Sequence, residues 1–235
     1  MPETADLSQT FAEIARALLS EQSVQATLQK IVDLAVETID GCEHACVSVV
    51  EGKRISTPAS SNDIPRRVDA IQYETGEGPC LDAIRDHQVF QTDDLVEEKR
   101  WPSFSQRAFE ETGVSSMLCF RLFVEQETLG GLNLSSTRRA AFGDEDRAVG
   151  SVFAAHAGVA LSTSRHGEHM ETALQSRDLI GQAKGIIMAK QGVTADEAFD
   201  ILRRGSQRLN IKLRELARQV ADSAVPGREN DTGDG

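Results

Sequence analysis

Long apolar runs are missing from this 235-residue chain. Nowhere do about 18 apolar residues follow one another, so no segment reads as a membrane-spanning helix. The stretch Met1 to Leu19 lacks a basic region followed by an apolar one, which argues against a secretory leader and for a cytoplasmic location. Cysteine is scarce: Cys42, Cys46, Cys80 and Cys119 are read as reduced thiols rather than a disulfide framework. Aromatic residues make up only 5% of the chain, which excludes an interface built mainly on Trp and Tyr. Catalytic signatures are absent as well. There is no G-x-S-x-G elbow, no G-x-x-x-x-G-K-[ST] loop and no G-x-G-x-x-G after a strand, so no enzyme is expected. Basic charge is also in deficit, with 25 Lys and Arg against 37 Asp and Glu, and the chain as a whole should be repelled by nucleic acid and anionic lipid.

The deficit is uneven. Residues 1–170 carry a net charge of −12, residues 171–222 carry +2 and residues 223–235 carry −2. That change of sign marks a separate module beginning near residue 165, with a partner of its own.

The N-terminal part alternates between helical and extended patterns. Apolar residues at helical spacing run from Leu7 to Ile39, broken around Ser20 to Ser23, and predict two helices, the second ended by Gly41. Strands are expected over Ala45–Val50, Arg54–Ala59, Val89–Thr92, Val114–Val124 and Thr128–Ser135. Between them, Asp63 caps a helix reaching Thr75, a short helix fits Cys80 to His87, and another fits Trp101 to Glu111. Residues 10–165 therefore form one α+β domain with an antiparallel sheet. From Gly143 onward only helices are expected: one starting on Asp144, Glu145 and Asp146 and running past Leu161, then 168–190, 195–209 and 211–222, with a disordered tail over 223–235.

The 168–190 helix carries two apolar faces at 100° per residue. Ala173, Ile180, Ala183 and Ile187 suffice for a small core, whereas Met170, Leu174, Gly181 and Met188 form a second seam. That seam predicts a parallel homodimer through helices 147–190, with packing back on the sheet domain as the alternative.

Some constellations invite chemistry. Cys42, His44 and Cys46 alternate as ligands on an extended chain would, but no second pair completes a tetrahedron, and thiols tucked into a sheet are the better account. Cys80 follows Gly78-Pro79 at a helix start, where a dipole could favour the thiolate; a buried, inert thiol is the competing reading. His166 and His169 read as a solvated helix face, and Gly76-Glu77-Gly78 as a turn. The last module is different. Arg177 and Lys184, Arg204 and Arg208, and Arg214 and Arg218 each form a basic stripe with few acidic neighbours, a pattern suited to RNA or DNA.

Residues 174–220 resemble an ANTAR domain, the RNA-binding module of bacterial antiterminators. The resemblance is carried by Arg177, Ile180, the run Gln182-Ala183-Lys184-Gly185-Ile186-Ile187-Met188, Glu197-Ala198-Phe199, Leu202-Arg203, Ser206-Gln207, Asn210, Lys212-Leu213 and Ala217. Residues 10–165 resemble a GAF domain of the kind fused to ANTAR modules in actinobacteria, on Gly76 to Cys80, Trp101-Pro102 with Phe104, Ser115 to Leu118, Gly130 to Leu134 and Phe142 to Asp146.

The resemblance implies a six-stranded antiparallel sheet flanked by helices, then a three-helix ANTAR domain that dimerises through the preceding helix and binds paired RNA hairpins. A small-molecule ligand in the GAF domain is open, and no motif names a cofactor. The residues expected to meet RNA are Arg177, Lys184, Arg203, Asn210 and Lys212, with Ser206 as a hydrogen-bonding contact and capping of the third helix as the alternative role for Asn210. Ala183 and Gly185 are expected where helices approach closely. The rival function is a ligand or redox sensor whose helical module contacts a protein.

Overall fold

The computed structural model describes residues 3–21 and 23–223. The chain separates into two compact units, 1–167 and 168–235. The first opens with helices α1 (Glu3–Leu19) and α2 (Val24–Thr38). It continues as β1 (His44–Glu51), β2 (Arg54–Ser60), α3 (Asp63–Thr75), α4 (Pro79–Asp86), β3 (Phe90–Thr92), α5 (Pro102–Thr112), β4 (Ser116–Val124) and β5 (Glu127–Ser136). Helix α6 (Asp144–Gln191) has residues in both units. The strands form one antiparallel sheet in the order β2-β1-β5-β4-β3. The α+β class is as expected, but five strands are present among the described residues where the resemblance implied six.

Alternation along the strands decides what each face of the sheet holds. Ala45, Val47 and Val49 of β1, Leu118, Phe120 and Leu122 of β4, and Leu132 and Leu134 of β5 face a core shared with Ile31 and Val32 of α2 and Phe153, Ala157 and Leu161 of α6. Each such Leu or Phe contributes about 1.5–3 kcal/mol by leaving water. Met117 and Cys119 belong instead to a second core with Val68 and Ile71 of α3, Cys80 of α4 and Phe104 of α5. Cys46, Ser48 and Asn133 sit at the opposite phase of β1 and β5 from the large apolar residues, and polar groups are thereby enclosed in the interior.

Boundaries differ from the sequence reading at two caps. Helix α2 ends at Thr38 with Ile39 as its C-cap, so Gly41 does not end it; a Cβ at Gly41 would lie 2.5 Å from the Ala141 carbonyl oxygen. Close packing, not helix termination, requires that glycine. Helix α3 is capped by Asn62, whose side chain accepts from the Ile64 N–H at 2.9 Å, and Asp63 is its first residue.

In the second unit α6 is joined by α7 (Ala195–Leu209) and α8 (Leu213–Asp222). Gly192 turns the chain with φ +67, and Thr194 and Glu197 form a reciprocal capping box that starts α7. The core is small: Ala183, Ile187, Ala198, Leu202 and Ala217 are buried, with Ile180, Ile201 and Leu216 packed against them. Ala173, assigned to this face, is exposed, because the burial supplied by the unit begins further along the helix. Met170 and Leu174 are more than half exposed, and Met188 is exposed as well. Gly205, unexplained by propensity, stands where a Cβ would approach Leu216 Cδ2 to 2.8 Å. Around Gly185 there is nothing within 4 Å of a Cβ, so close helix approach does not account for it among the described residues. Of the tail at 223–235, only Ser223, the C-cap of α8, falls within the described residues.

Candidate functional site

The helical unit presents its cations in separate groups. Arg177 and Lys184, two turns apart on α6, line a cleft of ≈ 540 Å³ together with Asp178, Ile180, Gly181, Gln182 and Phe199 of α7. Lys184 Nζ lies 5.8 Å from the centre of the Phe199 ring, within reach of the ring's negative face. Phe199 itself is 37% exposed. An aromatic face beside two cations suits a flat ring attached to phosphate.

The other expected contacts lie around the end of α7. Arg203 is exposed and pairs with Asp200 at 2.8 Å, an exposed bridge of i,i+3 spacing that competes weakly with any polyanion. The Ser206 hydroxyl donates to the Ile211 carbonyl at 2.6 Å, leaving only its oxygen as an acceptor. Asn210 takes the left-handed conformation, φ 52 and ψ 40, and is the C-cap of α7. Capping of the third helix, the alternative role considered for Asn210, belongs to Lys212, whose side chain makes no capping bond and is exposed. None of these four lines the cleft of Arg177 and Lys184. A second groove, apolar and edged by Arg204 and Arg208, runs past Ile187, Ile201, Leu209 and Val220.

Phe199, Asp178 and Gln182 were missed as cleft residues. Phe199 entered the sequence reading only within the family pattern; its place in a chain with so few aromatics, on a helix whose other apolar residues are aliphatic, was the available signal.

The sheet unit encloses a polar cluster. Asp69 of α3 is buried, and Oδ2 accepts from Ser48 and Thr57 at 2.7 Å, from Tyr73 at 3.1 Å and from the Cys46 thiol at 3.3 Å. Its Oδ1 accepts from Gln72 and Asn133 at 3.0 Å. Burial raises the Asp69 pKa, opposed by the hydrogen bonds from Thr57, Ser48, Cys46 and Tyr73. Cys80 lies 3.3 Å from Ser48 Oγ, and its backbone N–H donates to Gln72 Oε1 at 2.9 Å. Burial, then the negative charge of Asp69, pushes the Cys80 thiol up. Cys42 is pushed up to about 12 by burial, and Cys46 and Cys119 are raised by burial too. The position of Cys80 at the start of α4 therefore does not make it a thiolate: desolvation outweighs the helix end. Nor do Cys42, His44 and Cys46 converge. Cys42 faces the His44 carbonyl, His44 Nδ1 meets Asn62, and Cys46 meets Asp69.

An α+β domain with a buried polar cluster, followed by a helical module with a cationic cleft, is the class of protein that these two units define. The chain belongs to the GAF family, whose domain model matches residues 21–162, and an ANTAR domain follows at 168–220. No curated protein sequence matches the chain.

Among solved structures, free methionine-R-sulfoxide reductase from Neisseria meningitidis is similar at 16% identity and a TM-score of 0.54, over 70% of this chain and 93% of that one. The GAF domain of an Acinetobacter phosphoenolpyruvate-protein phosphotransferase aligns at 12% identity and a TM-score of 0.53, over 67% and 93%. Its counterpart from Coxiella burnetii aligns at 14% and 0.53, over 69% and 96%. These likenesses establish the fold of the first unit alone. A GAF domain joined to an ANTAR domain is the composition of a sensor-regulated antiterminator of the ANTAR family. Among the described residues no helix is long and apolar enough to cross a membrane.

Proposed function

We propose that this protein is a cytoplasmic, signal-responsive regulator in which residues 10–165 sense or dimerise and residues 168–222 bind paired RNA hairpins. Bound RNA holds a hairpin that competes with a transcription terminator. The observation that carries the reading is the cleft shared by Arg177, Lys184 and Phe199 in an ANTAR domain, within a chain of net charge −12. Arg203, Ser206, Asn210 and Lys212 form the second contact region, at the α7–α8 turn. The exposed Met170 and Leu174 support pairing with a second copy through α6. A monomer mass by light scattering at micromolar protein would remove that part.

A role as a regulator rather than an enzyme is supported by the thiols. All four are buried, and burial pushes every one of them up, whereas thiol chemistry of the reductase kind needs an accessible thiolate. Any ligand of the sheet unit controls RNA binding only if it binds the two states with different affinity.

The test is binding of full-length protein to an RNA with two adjacent small-loop hairpins at two salt concentrations, beside a loop-scrambled control. Arg177→Ala and Lys184→Ala should each weaken binding and lower the salt slope by about one unit or less. A second reading, contact with a protein, draws on the apolar groove at Ile187, Ile201, Leu209 and Val220. Absence of RNA binding with salt-insensitive capture of a polymerase or kinase would favour it.

A further inference from the structure

None of the residues assigned to RNA lines the groove edged by Arg204 and Arg208. The groove measures ≈ 500 Å³ and lies where α7 and α8 meet the end of α6, with Ile201, Leu209, Leu216 and Val220 along it. Leu209 is more than half exposed, and the other three are only partly covered. The two arginines, four apart on α7, are exposed. Arg204 Nε donates to the Asp200 carbonyl at 3.3 Å, the Asp200 carboxylate is taken by Arg203, and neither Arg204 nor Arg208 forms an ion pair among the described residues. An occupant must therefore supply both apolar groups and carboxylates. Nucleic acid supplies phosphate, but no aliphatic side chains for Leu209 and Val220.

The chain carries such an occupant directly after α8. Residues 224–235 begin with Ala224, Val225 and Pro226 and go on to Glu229, Asp231 and Asp234, with Arg228 as the single cation and a net charge of −2. Pro226-Gly227 is a dipeptide that favours a turn. Val220, on the groove wall, stands one turn before Ser223, the C-cap of α8. Leu216 lies about 10 Å back along the helix from that cap, and the six residues from Ser223 to Glu229 reach up to about 20 Å. That length brings Glu229 and Asp231 back beside the arginines while Val225 and Pro226 meet the apolar wall. A segment tethered so closely has an effective concentration on the order of millimolar, which an untethered partner must exceed.

We propose that the groove is the docking site of residues 224–235 of the same chain, with Val225 and Pro226 against its apolar wall and the carboxylates on Arg204 and Arg208. The contact is autoinhibitory: it holds two cations that stand close in the chain to Asn210 and Lys212, and a phosphate backbone reaching that turn has to displace it. The docking is independent of RNA, whereas the inhibition rests on RNA being the partner.

Hydrogen exchange of the full chain is compared with that of a chain stopped after Ser223, which keeps α8 and its C-cap. Truncation should speed exchange of the α7 and α8 amides by about fivefold, the scale of one partly uncovered valine. Arg204→Glu with Arg208→Glu disturbs α7 by itself, so it is made in both chains, and docking requires that it abolish the difference between them. Glu229→Arg with Asp231→Arg should act like truncation on its own and restore slow exchange beside the reversed arginines. An RNA with two adjacent small-loop hairpins should bind the truncated chain severalfold more tightly, and the arginine reversal should erase that gain.

Equal exchange in the full and truncated chains overturns the docking, as does a difference that survives the arginine reversal. Protection that grows with protein concentration assigns the groove to a second copy and overturns it too. If truncation uncovers the groove without strengthening RNA binding, the inhibition falls. If no chain binds the RNA, the RNA reading falls, and the exchange result decides the docking on its own.

Discussion

The hydroxyl of Ser206 donates to the carbonyl oxygen of Ile211 across 2.6 Å, tying the last turn of α7 to the connection that leads into α8. The bond closes a short loop whose backbone is also held by the Ile211 N–H on the Ser206 carbonyl at 3.2 Å. Ser206→Ala should therefore lower the stability of the helical unit by about 1 kcal/mol, the usual net worth of one such bond. Thermal unfolding followed at 222 nm measures it. An unchanged midpoint together with weakened RNA binding would show that the hydroxyl serves the ligand instead.

Asn210 separates its two roles by a pair of substitutions. Its φ of 52 suits glycine, so Asn210→Gly should keep the stability of the unit, whereas Asn210→Ala should cost about 1–2 kcal/mol of backbone strain. Loss of RNA affinity in the stable glycine variant assigns the amide to RNA. Retention of affinity leaves Asn210 as a cap alone.

Asp69 makes the first unit sensitive to pH. Its folded pKa is raised above the ordinary value of 3.8, chiefly by burial, so the folded state holds more protons than the unfolded chain between those two values. That contribution to stability is fully present below 3.8 and is lost as pH rises through the folded value. Urea midpoints taken from about pH 4 upward should fall across this window in the wild type. In Asp69→Asn the part of the dependence that Asp69 contributes should be lost, and overall stability should drop by about 1–3 kcal/mol, because an amide N–H₂ then faces hydroxyl donors.

The four thiols should be silent in the native protein. Dithionitrobenzoate at about pH 8 should label none rapidly and all four after denaturation, since the folded state withholds both access and the thiolate. Rapid labelling of Cys80 would restore redox sensing as a function of the sheet unit.

Much of this architecture could be read from local patterns. The helix expected over 195–209 is found as α7 with the same bounds. The strand runs at 114–124 and 128–135 were visible because β-branched and apolar residues cluster between turn residues. Less was legible where structure depends on partners distant in sequence. Gly41 looked like a helix stop because glycine does that locally, and only the approach of Ala141, a hundred residues on, shows its actual constraint. The Asp69 cluster joins side chains from β1, β2, α3 and β5, and no spacing rule connects them.

The cationic cleft was half visible. Arg177 and Lys184 share a helix face that spacing reveals, whereas Phe199 meets them only because α7 folds back on α6.

Among the described residues the enclosed core of the helical unit consists of five, three of them alanines. So little buried volume gives a fold whose lifetime depends on what is bound to it. A ligand at one hundred times its dissociation constant adds about 2.7 kcal/mol to the folded state. RNA that engages α6, α7 and α8 together would therefore protect the module from proteases, and its supply in the cell would govern how much of the regulator persists.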